Sequence, residues 1–354
     1  MLNDYMNLAI EQAKLGGVAT FQNPQVGAIL VKDNQVIAKG YHHYFGGDHA
    51  EVDVLKQVTN EQSQGATLFV TLEPCSHFGK TPPCSHRIVE AGIKKVVIGQ
   101  LDPHPIVMGK GADYLIQHGV TVVKDILKDK VEKLNPHYNF FYRWQRPWVT
   151  LKVAMTLDGK INQGHAQRTI ISNKDSFVDS QKLRAQHQAI LIGEHTLKID
   201  DPKLTVRTIK MAHPPVRLIV LTDAATILNK SLLQDKSVET WLLVKQDTTN
   251  NRLAKYENVH VLKGNWIPQN IVAFCYKKGW QSLLVEGGSY LQAQFVQNHL
   301  IEQWISYLAP RIFGGNALPA VVNQAGLGRD IHFTKPKIKY FDDNLRISAL
   351  RKEE

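Results

Sequence analysis

Apolar and polar positions break the chain into short segments that alternate between helical and strand-like periods. From Asp4 to Lys14, the residues Met6, Leu8, Ile10 and Ala13 give a loosely apolar face. With Asp4 as candidate N-cap and Gly16-Gly17 as the stop, this predicts a helix. Val26 to Val31 reads as a buried strand, Asp33-Asn34 as a hairpin turn and Val36 to Ala38 as the return strand. Gly40 to Gly47 is a loop. His49 then opens a helix with Val52, Leu55 and Val58 on one face. Thr67 to Leu72 is the next strand, stopped by Glu73-Pro74. A helix over 86–91, a strand over 95–98, a helix over 111–118 and a strand over 120–123 complete the set. Strands alternating with helices behind a front hairpin imply a layered α/β domain.

Between Lys124 and Arg146 the pattern is a helix, then Pro136, then an aromatic-rich run of His137, Tyr138, Phe140, Phe141, Tyr142 and Trp144. This reads as the junction of two domains, 1–145 and 146–354, with the aromatics packing between domains in preference to stacking on nucleic acid. The second half predicts strands over 148–154, 189–192, 216–221, 240–244, 259–262, 282–285 and 303–308, and one or two more in the tail. Leu157-Asp158-Gly159 is a tight turn, and helices are predicted over 175–186, 270–278 and 288–297. The G-x-G-x-x-G fingerprint of dinucleotide-binding folds is absent. In its place, Glu286-Gly287-Gly288-Ser289 joins a strand to a helix. Paired glycines there let backbone N–H groups approach a phosphate, though plain turns use the same pair.

A length of 354 residues exceeds the usual limit of a single core, in keeping with two domains. No uninterrupted apolar run approaches 18 residues, so no membrane span is expected. The N-terminus lacks a basic region followed by an apolar core, so no secretory signal is expected either. Three cysteines in such a chain point to the cytoplasm, with thiols serving as ligands rather than disulfides. Residues 1–145 hold 14 Lys+Arg against 14 Asp+Glu, whereas 146–354 hold 28 against 18, so the whole +10 excess lies in the second half. A basic half suits phosphate-bearing ligands, or is simply a solvated surface.

The chemistry concentrates in His49-Ala50-Glu51, Pro74-Cys75 and Pro83-Cys84. A catalytic zinc needs about three protein ligands and one open position, with a carboxylate off the metal to move protons. His49, Cys75 and Cys84 are the candidate ligands and Glu51 the proton carrier; His77 and His86 are nearby alternatives as ligands. The pattern is that of zinc nucleobase deaminases, H-x-E then P-C-x-x-C, except that here the cysteines stand nine apart. Isolated cysteines are commonly buried small hydrophobes, and Cys275 is expected to be one. His49 and Pro74-Cys75 are both expected at helix starts, so that two helix N-termini favour the thiolates.

The run Thr71-Leu72-Glu73-Pro74-Cys75-Ser76-His77, continuing through Gly79-Lys80-Thr81-Pro82-Pro83-Cys84, resembles the bifunctional deaminase–reductase family of riboflavin biosynthesis, in which a long loop separates the cysteines. Asn23-Pro24-x-Val26-Gly27, Asp102-Pro103-x-Pro105 and Gly109-Lys110-Gly111 fit the same family. So do Lys152 to Lys160, Leu183-Arg184-Ala185, Asp200-Asp201-Pro202-x-Leu204-Thr205-Val206-Arg207 and Val285-Glu286-Gly287-Gly288. The resemblance implies a cytidine-deaminase-like three-layer domain followed by a dihydrofolate-reductase-like domain. It implies zinc-dependent deamination of 2,5-diamino-6-(5-phosphoribosylamino)pyrimidin-4(3H)-one, then reduction of the product's ribose by NADPH.

The resemblance carries NADPH contacts onto Ala154, Thr196, Asp200, Gly288, Ser289, Tyr290, Leu291, Gln292, Ala293 and Gln294. It carries substrate contacts onto Arg184, Leu204, Arg207 and Glu286, with Arg184 and Arg207 suited to a phosphate. Asn23 and Lys80 are the expected substrate contacts of the deaminase half, with Lys80 reaching the ribose phosphate. Lys152 and Asp200 are candidates for handling the proton beside the hydride acceptor. One departure stands out: Arg168-Thr169-Ile170-Ile171-Ser172 occupies the stretch where the family has Ser-x-Trp-Ile-Thr. The family also implies a homodimer or larger, and no nucleic-acid partner; a neutral first half agrees, because phosphate contacts dominate nucleic-acid affinity.

Overall fold

The structure, a computed structural model, describes residues 1–76, 82–163, 168–249, 251–322, 330–334 and 336–352. The chain divides into two compact units, Met1–Gln145 and Arg146–Glu354.

The first unit is built on a five-stranded sheet in the order β2-β1-β3-β4-β5. Its strands are β1 (Gly27–Lys32), β2 (Gln35–Tyr41), β3 (Thr67–Leu72), β4 (Lys95–Gln100) and β5 (Thr121–Val123). β1 and β2 form the hairpin, turned by Asp33 and Asn34 at φ 49° and 62°, the left-handed pair a two-residue turn requires. β3, β4 and β5 run parallel. The side chains alternate strictly between faces. Ile29, Val31, Phe69 and Val97 meet Met6, Ala9 and Ile10 of α1 (Leu2–Lys14). Ala28, Leu30, Leu68, Val70, Val96 and Ile98 meet the opposite helical layer, formed by α2 (Ala50–Leu55), α4 (Cys84–Glu90) and α5 (Lys110–Gln117). The short α3 (Asn60–Ser63) leads into β3. Three layers result, helix–sheet–helix.

The aromatic run of 136–144 is not a loose junction. It continues after α6 (Lys128–Glu132) as a full helix, α7 (Pro136–Trp144), with proline in the first turn where its missing N–H costs nothing. Tyr138, Asn139 and Phe141 are buried in the first unit's own interior. The Tyr138 hydroxyl donates to Asp102 at 2.9 Å and the Asn139 amide pairs with Gln100.

The second unit carries a nine-stranded sheet, β11-β10-β9-β8-β12-β6-β13-β16-β15. In chain order its strands are β6 (Trp148–Thr156), β7 (Lys160–Asn162), β8 (Ala189–Gly193), β9 (Val216–Asp223), β10 (Thr240–Gln246), β11 (Val259–Lys263), β12 (Ser282–Val285), β13 (Gln303–Ala309), β14 (Leu318–Pro319), β15 (Lys337–Phe341) and β16 (Asn344–Leu350). The strands from β11 through β13 run parallel, and the β15–β16 hairpin adds antiparallel to β13. β7 and β14 pair separately. Helices α8 (Lys174–Ala185), α9 (Glu194–Asp200), α10 (Pro268–Lys277) and α11 (Ser289–Gln297) complete the unit. One face of the sheet buries Ile190, Ile192, Ile219, Leu284 and Ile305. The other buries Val149, Leu151, Leu191, Leu218 and Leu283 with Cys275 and Phe295, so Cys275 is core. Among the described residues no helix is long and apolar enough to cross a membrane.

His187 ties α8's C-terminal end to this sheet. Its ring bridges the Leu183 carbonyl at 2.8 Å and the Thr150 hydroxyl at 2.9 Å. Burial holds its pKa down at about 4. The folded value is depressed below the unfolded 6.5, so the unfolded chain takes up the proton first. The neutral ring's contribution is present above pH 6.5 and lost as pH falls towards 4, by up to about 3 kcal/mol. Between pH 6.5 and 4, the unfolding midpoint of the second unit is expected to fall more steeply in the wild type than in His187→Gln. Parallel curves would refute the assignment.

Candidate functional sites

In the first unit, β3 delivers the chain to Glu73-Pro74-Cys75 at its C-terminal end. His49 is the N-cap of α2 and Cys84 the first residue of α4. Two helix N-termini therefore do converge, but the second belongs to Cys84. Cys75 sits on the loop after β3, because Pro74-Cys75 precedes no helix and α4 starts only after Pro83. His49 Nδ1 stands 3.2 Å from Cys84 Sγ and 3.6 Å from Cys75 Sγ, and the three donor atoms all lie within 4.8 Å of one another. Zn–N bonds of about 2.0 Å and Zn–S bonds of about 2.3 Å at tetrahedral angles place N and S about 3.5 Å apart, so the set fits zinc.

The electrostatics agree with that fit. The Cys84 thiol beside it, reinforced by the His49 ring and the Cys84 backbone N–H, brings Cys75 down to about 4 despite its burial. In return, the bond to Cys75 lifts His49 to about 9. Cys84 is pushed well up by Cys75 and by burial. The cluster thus holds one thiolate readily and resists the second, and a divalent cation would supply the positive charge that stabilises both.

Glu51, in the first turn of α2, is buried beside the set, and burial pushes it up to about 6. A carboxyl group there is poised to exchange protons near neutral pH. Asn23 lies on the same wall. Its amide nitrogen is 3.0 Å from His42 Nε2, while His42 Nδ1 donates to the Asp48 carbonyl at 2.8 Å. The His42 and His49 rings meet edge to face. Of the alternative ligands, His86 stacks on Tyr114 and His77 lies outside the described residues, as does Lys80, the expected phosphate contact.

In the second unit, a cavity of about 640 Å³ opens at the C-terminal ends of β6, β8 and β12. That is where parallel α/β sheets bind ligands. Ala154, Thr196, Asp200, Gly288 and Gln292 line it, as do Arg184, Leu204, Arg207, Glu286 and Lys152. The other expected cofactor residues of α11 do not. Leu291 and Ala293 are core, Tyr290 and Gln294 are exposed, and buried Ser289 bonds the Pro319 carbonyl. Only one face of a helix can line a cavity, and of this run it is Gly288 and Gln292 that do so.

The glycines before α11 serve packing first. A Cβ on Gly287 would lie 2.6 Å from the Ile192 Cα, and the Gly288 N–H already donates to Thr196 Oγ1 at 2.9 Å. Arg184 spends its fork on Glu286 rather than presenting it to a phosphate, through bonds of 2.8 and 2.6 Å. Burial alone would raise Glu286. Arg184 and Lys152 overcome it and hold the carboxyl at about 2. Arg207 remains exposed at the mouth, over the Phe177 ring at 4.9 Å, and burial, Arg184 and Arg168 each lower its pKa. The cations Arg168 and Arg207 on one cavity suit an anionic ligand.

The sequence expectation passed over α9, which carries Thr196 and Asp200 into this cavity. Its readable signal was Glu194 four residues before Lys198, an ion pair at 2.5 Å on adjacent turns.

The class of protein follows from comparison with known families. Residues 1–100 match the cytidine and deoxycytidylate deaminase zinc-binding region, and residues 147–345 match the RibD C-terminal domain. The chain therefore joins a zinc-binding deaminase domain to a reductase domain. Over 358 residues it is 35% identical to riboflavin biosynthesis protein RibD of Bacillus amyloliquefaciens, covering 99% of this chain and 96% of that one. It is 34% identical to RibD of Aquifex aeolicus over 97% of each chain. Among solved structures it resembles Acinetobacter baumannii RibD, form 1, with a TM-score of 0.91 at 32% identity over 99% of both chains. A diaminohydroxyphosphoribosylaminopyrimidine deaminase/5-amino-6-(5-phosphoribosylamino)uracil reductase from Thermotoga maritima gives 0.86 at 31% identity over 99% of both. The chain belongs to the RibD family of bifunctional deaminase–reductases of riboflavin biosynthesis.

Proposed function

We propose that residues 1–145 deaminate 2,5-diamino-6-(5-phosphoribosylamino)pyrimidin-4(3H)-one and that residues 146–354 reduce the ribose of the deaminated product with NADPH. The observation that carries the first half is the buried Glu51 beside the three donor atoms of His49, Cys75 and Cys84. Zinc, when bound, supplies a water acidic enough to act as nucleophile near pH 7. Glu51 takes a proton from that water and delivers it to the ring nitrogen, then takes the second proton from the added hydroxyl and passes it to the amino group, which departs as ammonia. Asn23, oriented by His42, holds the substrate against this wall, and Lys80 is the proposed contact to its phosphate.

In the second unit, NADPH supplies the hydride. Ala154, Thr196, Asp200, Gly288 and Gln292 are the proposed cofactor contacts, as the residues of the expected set that line the cavity. Arg207 is the phosphate contact. Arg184 and Glu286 act as one ion pair at the cavity wall, with Leu204 beside them. Lys152 and Asp200 handle the proton at the ribose. Burial lowers the pKa of Lys152 and raises that of Asp200, which brings both nearer to proton exchange at neutral pH. The protein works in the cytoplasm as a homodimer or larger, without nucleic acid.

The test is one coupled assay of zinc-loaded, full-length protein with the diaminopyrimidine phosphate and NADPH, following ammonia and NADPH separately. Ammonia release must precede NADPH oxidation and proceed without it. NADPH oxidation with no ammonia, or ammonia with no reduction of added deaminated product by NADPH, refutes one half of the assignment.

A further inference from the structure

Glu73 lies outside both the donor set and the proton path, yet its buried carboxylate accepts four backbone N–H bonds. Asp102 and Gly109 donate to one oxygen at 3.1 and 2.9 Å, and Gly111 and Ala112 to the other at 3.0 and 3.1 Å. Gly109 is the N-cap of α5, and Gly111 and Ala112 belong to its first turn. A side chain from the end of β3 thus satisfies the N-terminus of a helix nearly forty residues later in the chain. The bonds are charge-assisted and favoured by the helix dipole, so together they fix the carboxylate in place.

The backbone that follows is held as closely. A Cβ on Gly111 would lie 1.9 Å from the Pro74 carbonyl oxygen, so α5 packs directly on the peptide that precedes Cys75. From the other side, the Ser85 N–H donates to the Cys75 carbonyl at 3.1 Å and the Cys84 N–H to the Cys75 sulfur at 3.3 Å. Cys75 is therefore seated between α5 behind and α4 in front. Unlike His49 and Cys84, it belongs to no helix of its own.

We infer that Glu73 and Gly111 are positioning residues for zinc: they set where the Cys75 sulfur stands relative to His49 Nδ1 and Cys84 Sγ. The inference rests on the donor-set assignment above. It extends the metal centre to a helix that contributes no ligand, and it accounts for Gly109-Lys110-Gly111, which neither proposed reaction uses.

The experiment compares full-length wild type with Glu73→Gln, Gly111→Ala and Leu115→Ala. Leu115 is fully buried in the core beyond the first turn of α5 and is not among the residues that bond Glu73, so its truncation destabilises the same helix by another route. Zinc affinity is read by competition with a chromogenic chelator. Ligand geometry is read from the thiolate-to-metal charge-transfer band of the cobalt(II)-substituted protein, and folding from far-UV circular dichroism. Glu73→Gln and Gly111→Ala are each expected to weaken zinc by roughly 10- to 100-fold and to reduce the charge-transfer intensity per bound cobalt. Leu115→Ala is expected to lower the melting temperature while keeping wild-type affinity and spectrum. Should Glu73→Gln fail to fold, Gly111→Ala and Glu73→Asp carry the same reading. Wild-type affinity and spectrum in the folded variants would overturn the inference, as would an equal change in Leu115→Ala. A wild type that binds no cobalt would refute the donor set itself.

Discussion

Glu51→Gln is expected to cut ammonia release by at least 10²–10⁴-fold, the usual contribution of a positioned acid–base group. Zinc content and NADPH oxidation with supplied deaminated substrate should stay at wild-type levels. The substitution keeps volume and shape in a buried position, so packing around α2 is preserved. What it removes is the ability to accept a proton and give it back. Neither His49 nor a cysteine is expected to take over, since all three are the proposed metal ligands. Metal analysis and the two separate product assays decide the matter. A variant that still deaminates at a tenth of the wild-type rate would place the proton carrier elsewhere, and one that loses both activities would contradict the independence of the two sites.

The second large effect is expected at the Arg184–Glu286 pair. Its side chains are 12% and 6% exposed, and the carboxyl sits at about 2. That value is depressed below 4.5, so the stability it confers is present above pH 4.5 and lost as pH falls towards 2. About 2.5 pH units corresponds to about 3 kcal/mol. Arg184→Ala leaves a buried carboxylate without its partner and is expected to cost about 3–5 kcal/mol, read as a lower urea midpoint for the second unit only. The double variant Arg184→Met with Glu286→Leu is expected to recover most of that stability and none of the reductase activity. Recovery of both would make the pair a packing device alone; stability unchanged in Arg184→Ala would mean the pair is solvated.

The fold was legible where one period dominates. Short continuous apolar runs in β1, β3 and β4 marked strands buried on two faces, and Asp33-Asn34 marked the hairpin. The donor set was legible because His-x-Glu and two Pro-Cys steps are rare together and sit at element ends. Three features were not legible. The aromatic run of α7 mixes polar and apolar residues without a clean stripe, because Asn139 is buried through a bond to Gln100 rather than through apolarity. α9 is only seven residues long and offers one buried position, Leu197, so periodicity has nothing to count. The partner of Arg184 was hidden because a guanidinium reads as a phosphate ligand until its neighbour across the sheet is known. Glu286 lies 102 residues away.

The strand order of the second unit has a consequence for how the protein is made. β6 is the first strand of its unit to leave the ribosome, but its two sheet neighbours, β12 and β13, are encoded more than a hundred residues later. The strand bearing Lys152 and Ala154 must therefore wait, unpaired and apolar, until almost the whole chain has been synthesised. The first unit pairs its strands within its own 145 residues and can close around its metal during that interval. Birth order on the ribosome thus repeats the order of the two reactions, with the zinc centre assembled while the reductase is still an unfinished sheet.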